Sequence, residues 1–73
     1  MKTLRQVPVG ASAIVKKLNV EGSLKRRLMD MGITKGVELL VQREAPFGDP
    51  LEIRLRGFAL ALRKSEAECI VVE

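Results

Sequence analysis

Leu51-Glu52-Ile53-Arg54-Leu55-Arg56 alternates apolar and charged residues without a break. A period of two places Leu51, Ile53 and Leu55 on one side of an extended chain and the charged residues on the other. The segment therefore predicts a strand with one buried and one wet face. Gly57 turns the chain into Phe58-Ala59-Leu60-Ala61-Leu62, whose large residues share one face while Ala59 and Ala61 share the other. Together the two runs predict a hairpin.

Working outward, Pro46-Phe47-Gly48-Asp49-Pro50 sets two prolines around a Gly-Asp pair, which no regular element accommodates, so it reads as a loop. Before it, the Thr34-Lys35-Gly36 turn launches a strand from Val37 to about Glu44. Ser23 to Met31 is the one convincing helix, with Gly22-Ser23 at its start and Gly32 where a left-handed C-terminal residue belongs. At 100° per residue, Leu24, Leu28 and Met31 fall in one arc facing the core. Lys25, Arg26 and Asp30 point away, Arg27 lies at the edge, and Met29 is stranded on the outer side. Ser12 to Leu18 predicts the first strand, although its alternation is broken by adjacent Ile14-Val15 and Lys16-Lys17. After the hairpin come a helical turn over Arg63 to Glu68, with Ser65 as its cap, and a last strand from Cys69 to Val72.

Five short strands in 73 residues predict a mainly β fold, a single domain over residues 1–73. A closed or nearly closed barrel with the helix plugging one end satisfies them best, because closure removes exposed edges. Its core is expected to hold Leu28, Ile33, Ile53, Leu55, Leu60, Leu62, Ile70 and Val72.

With 47% apolar and 30% charged residues, the chain is rich enough in apolar side chains to fold. Cys69 has no partner for an internal disulfide, no signal-peptide pattern is present, and the longest apolar run is Phe58 to Leu62, so a soluble cytoplasmic protein is expected. Residues 1–36 carry eight basic side chains against two acidic ones, and the remainder five against seven. Such asymmetry points to an acidic partner, a nucleic acid or a membrane surface, or to a merely solvated face.

The chain has no His, and its one thiol has no neighbouring base, which speaks against acid–base or nucleophilic catalysis. Cys69 reads as a half-buried strand residue. No tight soft-metal site can be assembled from these residues; only weak oxygen-ligand binding, for instance of ferrous iron, remains open. Gly32 and Gly36 follow the helix instead of preceding it, so they form no phosphate cradle. Two Phe residues without Trp or Tyr make neither an aromatic groove for Pro-rich peptides nor a platform for single-stranded nucleic acid. A basic barrel binding duplex phosphates is the rival reading.

Arg27-Leu28-Met29-Asp30-Met31-Gly32-Ile33, followed by Lys35-Gly36, resembles the FeoA family's motif of Arg-Leu, two residues, an apolar residue and Gly, then a Gly turn. Ala45-Pro46-Phe47-Gly48-Asp49-Pro50 is similar to the family's Ala-Pro-x-Gly-Asp-Pro loop. Arg56-Gly57, Leu60-Ala61-Leu62-Arg63, Glu66-Ala67 and Ile70-Val71-Val72 then follow in the family's order. The match begins at Leu4 and Gly10 and covers almost the whole chain. The resemblance implies an SH3-like barrel with an inserted helix, with no catalysis and no cofactor. It further implies a cytoplasmic partner of FeoB, the G-protein-bearing membrane permease for ferrous iron, reaching the membrane only through that permease. Similar barrels end iron-dependent repressors, but this chain has no room for a helix-turn-helix. A weakly metal-responsive regulator is the remaining alternative.

The expected partner surface is the outer side of the helix, where Lys25, Arg26 and Met29 offer an adaptable apolar side chain rimmed by cations. In the opposing view Met29 tucks under the Pro46–Pro50 loop against Phe47. The Ala59 and Ala61 strip, a flat part of the barrel wall, is the next candidate.

Overall fold

The computed structural model describes residues 2–73; Met1 of the expected domain lies outside them. A short 3₁₀ turn at Leu4–Gln6 is followed by β1 (Ser12–Leu18), α1 (Ser23–Asp30), β2 (Glu38–Glu44), β3 (Leu51–Leu55), β4 (Phe58–Leu62), α2 (Lys64–Ala67) and β5 (Ile70–Val72). All strand pairs are antiparallel, in the order β4-β3-β2-β1-β5. The predicted strands and helices are present, and their ends differ by a residue or so. The N-terminal 3₁₀ turn is an addition.

The hairpin forms as its alternation dictates. Leu51, Ile53 and Leu55 are buried while Glu52 and Arg54 face outward. Leu55 pairs with Phe58, leaving Arg56-Gly57 as a two-residue turn with φ of +49° and +87°. Such a turn matches the twist of the flanking strands because both central residues are left-handed.

Helix α1 ends in a Schellman motif: Ile33 N–H donates to the Leu28 carbonyl (3.0 Å) and Gly32 N–H to that of Met29 (2.9 Å). Gly32 takes φ +94°, and a Cβ there would stand 3.1 Å from Leu55 Cδ2. Glycine thus serves both backbone conformation and packing. Leu28 and Ile33, the apolar pair that accompanies this cap, are fully buried in the core.

Two strands carry a bulge, and both shape the surface. On β1, Val15 pairs with Val72 and Lys17 with Val71, so Lys16 is the extra residue. Its first part pairs with β2 and its second with β5. The bulge is the physical reason for the broken alternation in Ser12–Leu18. On β2, Val41 pairs with Ile53 and Arg43 with Glu52, so Gln42 is extra. Bulges increase local twist, which rolls a short sheet into a barrel-like shape.

The sheet is not closed by strand pairing: no β4–β5 ladder forms among the described residues, and α2 connects the two strands. On its other side β5 meets the N-terminal segment, through a Thr3–Val71 bridge and a hydrogen bond from Val72 N–H to the Lys2 carbonyl (2.9 Å). Strand β4 therefore remains an edge, and the expectations that closure removes exposed edges and that Leu60 lies in the core are corrected. Phe58 is 71% exposed and Leu60 only partly buried, so of the three large β4 residues Leu62 alone joins the core fully. Among the described residues β4 pairs with β3 alone, so its other side has no strand to cover it. The other predicted core residues are buried, joined by Leu4, Val7, Val15, Val37, Leu39 and Val41 among others. No described helix is long and apolar enough to cross a membrane.

Candidate functional site

Arg27 leaves α1 and places Nη1 2.7 Å from Glu66 Oε2 on α2. Glu66 is the buried charged residue of the described chain, its side chain 5% exposed, while Arg27 is 59% exposed. The other carboxylate oxygen, Oε1, accepts the Arg63 N–H at 2.8 Å. Both oxygens are thereby satisfied, which makes burial of the charge tolerable. This corrects the predicted cap: Ser65 does not close the start of α2. Glu66 takes the Arg63 N–H, and Asp49 Oδ1, reaching over from the β2–β3 loop, takes the Lys64 N–H (3.1 Å). The Ser65 carbonyl instead accepts the Cys69 thiol (3.4 Å), and Cys69 is half-buried just before β5 and not within a strand.

The β2–β3 loop holds itself through Gly48 N–H to the Ala45 carbonyl (2.7 Å) and Ala45 N–H to the Pro50 carbonyl (3.1 Å). Pro46 is exposed there, and a Cβ on Gly48 would lie 3.2 Å from both Glu44 Oε1 and Lys64 Cε. Gly36 N–H donates to the Val15 carbonyl (2.8 Å), tying the turn after α1 to β1. With Leu28 and Leu62 buried and Gly57 in the hairpin turn, the motif residues act as framework. Arg27, Gly32, Gly36, Asp49 and Arg63 fix how α1, α2 and the loop sit on the sheet.

A second group of exposed residues lies on another part of the surface. A concavity of about 190 Å³ is lined by Lys16, Lys17, Leu18, Lys25, Met29, Thr34 and Lys35. Strand β1, helix α1 and the turn after the helix each contribute a wall. Of the predicted docking residues, Lys25 and Met29 meet here; Arg26 is exposed but not part of this lining. Met29 is 48% exposed and Phe47 91% exposed, so Met29 is not sealed beneath the Pro46–Pro50 loop. Sequence reading missed Lys16, Lys17 and Lys35 because they lie on other elements, although the broken alternation of β1 marked the first two.

The alanine strip is less flat than expected. Ala59 pairs with Arg54 and Ala61 with Glu52, and Ala61 helps line a second cleft of about 380 Å³ with Arg43, Glu44, Ala45, Pro46, Pro50 and Glu52. Charges of both signs face this cleft, and Arg43 already pairs with Glu52 (3.4 Å).

The FeoA domain model matches residues 2–73. The chain belongs to the FeoA family. This FeoA domain is similar to a FeoA-like protein of Clostridium acetobutylicum solved by NMR, at 44% identity and TM-score 0.90, covering 97% of this chain and 83% of that one. It is also similar to zinc-complexed FeoA of Stenotrophomonas maltophilia, at 32% identity and TM-score 0.88, covering 100% and 91%. That protein is described as a prokaryotic SH3-domain protein, which agrees with the expected fold class. A Porphyromonas gingivalis relative, a fusion of Fe(2+) transport protein A with the Fe(2+) transporter FeoB, is 29% identical over 70 residues. The match takes in 96% of this chain but only 8% of the fusion.

Proposed function

We propose that this FeoA domain is a non-enzymatic cytoplasmic accessory of ferrous-iron uptake, which binds the cytoplasmic part of a FeoB-type permease and modulates it. The observation that carries this reading is the Porphyromonas gingivalis fusion, in which a similar domain and the transporter form one polypeptide. A covalent link holds two modules at high local concentration and is productive where they act together. The Stenotrophomonas maltophilia protein, put forward as an activating factor for ferrous iron transport, supports the same role. The residues agree with a binding role: there is no His, and no group of three His, Cys, Asp or Glu suited to a metal ion occurs among the described residues. Iron is in this view the permease's cargo.

Calorimetric titration of the purified chain against the permease's cytoplasmic part tests the reading, with GTP hydrolysis followed in parallel. Saturable binding with an altered hydrolysis rate is expected. No heat of binding and an unaltered rate, with the chain retained on duplex DNA at physiological salt, would replace this reading by the nucleic-acid one.

A further inference from the structure

The two bulges carry matching arrangements with one difference. A bulge turns two successive side chains toward the same side of a strand. On β2 the pair is Gln42 and Arg43, and both reach Glu52 of β3, at 3.0 Å and 3.4 Å. On β1 the pair is Lys16 and Lys17, both exposed and both lining the 190 Å³ concavity. Here no carboxylate answers them. Lys25 and Lys35 bring two more ammonium groups to the same rim, and no acidic residue belongs to the lining. None of the four lysines takes part in an ion pair among the described residues, whereas Arg5, Arg27 and Arg43 each have one. The floor between the lysines is apolar, made by Leu18 and the exposed face of Met29.

We propose that this groove docks an acidic amphipathic segment of a protein partner, with carboxylates among Lys16, Lys17, Lys25 and Lys35 and an apolar side chain against Leu18 and Met29. It rests on the reading of the chain as a protein-binding accessory, and names the chemistry that the partner must present. Charge complementarity selects an acidic ligand. The apolar floor selects a protein segment over a nucleic acid, because the groove has no aromatic side chain on which a base could stack and no arginine to grip phosphate bidentately. Methionine and the lysine stems adapt to an inserted apolar side chain.

Two fluorescent peptides, one of glutamates with interspersed leucines and one of glutamates alone, are titrated alongside the permease's cytoplasmic part. The proteins are wild type, K16E/K35E, M29A and a charge-matched K2E/R56E control, whose two residues are exposed and outside the groove lining, each checked for folding by circular dichroism. The K16E/K35E pair is expected to weaken binding of the leucine-bearing peptide and of the permease part by at least about tenfold. The control should change either by no more than about twofold, since distant exposed charges are screened. M29A should weaken the leucine-bearing peptide and the permease part, and leave the glutamate-only peptide unchanged. Equal losses in both charge-reversed pairs would reduce the groove to net charge and overturn the proposal. So would equal affinity for the two peptides, or displacement of the leucine-bearing peptide by duplex DNA at physiological salt. Wild type that binds the permease part while K16E/K35E binds it equally well overturns the groove and leaves the accessory role. Wild type that ignores the permease part but holds the leucine-bearing peptide through these lysines supports the groove and defeats the accessory role.

Discussion

Replacing Arg27 by Met removes the guanidinium from Glu66 Oε2 while leaving the Arg63 N–H on Oε1, so a carboxylate whose side chain is 5% exposed keeps one of its two partners. Breaking a fully buried ion pair by removing one member costs about 3–5 kcal/mol. Arg27 is more than half exposed, so water can reach the vacated place, and the expected loss falls to about 2 kcal/mol, within the range for a buried group left short of a partner. For a domain of this size total stability is roughly 4–11 kcal/mol, so the loss is a sizeable share of the whole. With a urea m-value of about 1 kcal/mol/M, the unfolding midpoint should fall by about 2 M. The chain has neither Trp nor Tyr, so the assay is far-ultraviolet circular dichroism. Glu66→Gln should cost less than R27M, because its amide oxygen can keep the Arg63 N–H without burying a charge. The double variant R27M/E66Q should then be more stable than R27M alone. A loss under about 0.5 kcal/mol in R27M, or strictly additive losses in the double variant, would show that the pair does not hold α1 to α2.

Leu28→Ala or Ile53→Ala should each cost about 2–5 kcal/mol, read from the same urea transitions, and losses under about 0.5 kcal/mol at both would contradict their burial. Arg56→Asn should stabilise the hairpin by about 0.5–1 kcal/mol, because Arg56 sits at φ +49°, where Asn is at ease and most side chains are strained. A lower melting temperature in that variant would refute the turn assignment. Anaerobic calorimetry with ferrous iron should detect no submicromolar site, since the chain has no His and one half-buried thiol. A single tight site would revive the sensor alternative.

The sequence disclosed most where a residue's environment is set by its neighbours along the chain. The Leu51–Leu62 hairpin and the Gly32 cap are local events, and both stand as expected. Leu60 was expected in the core and is only partly buried, because alternation assigns a face but not the extent of cover, and β4 is an edge strand. The carboxylate of Glu66 was unreadable as a partner for Arg27 because only the fold brings α1 and α2 together. Lys25 and Met29 were found by helical periodicity alone. Lys16 and Lys17 required a register shift against β5, visible in the sequence only as a fault in the pattern of β1.

The contact of Lys2 and Thr3 with Val71 and Val72 brings the two ends of the domain to one place on the barrel. A longer polypeptide can therefore enter and leave this unit at nearly the same point, so joining through either end requires the same linker reach and strains neither end strand. Attached to a large membrane protein by a short flexible linker, the domain would face its target at an effective concentration in the millimolar range. A contact with a Kd of about 1 mM, too weak to survive dilution between separate molecules, would then be about half occupied or better. Adjacent ends thus let one small barrel serve as a tethered or a diffusing module, with the tether setting how tightly its surface has to bind.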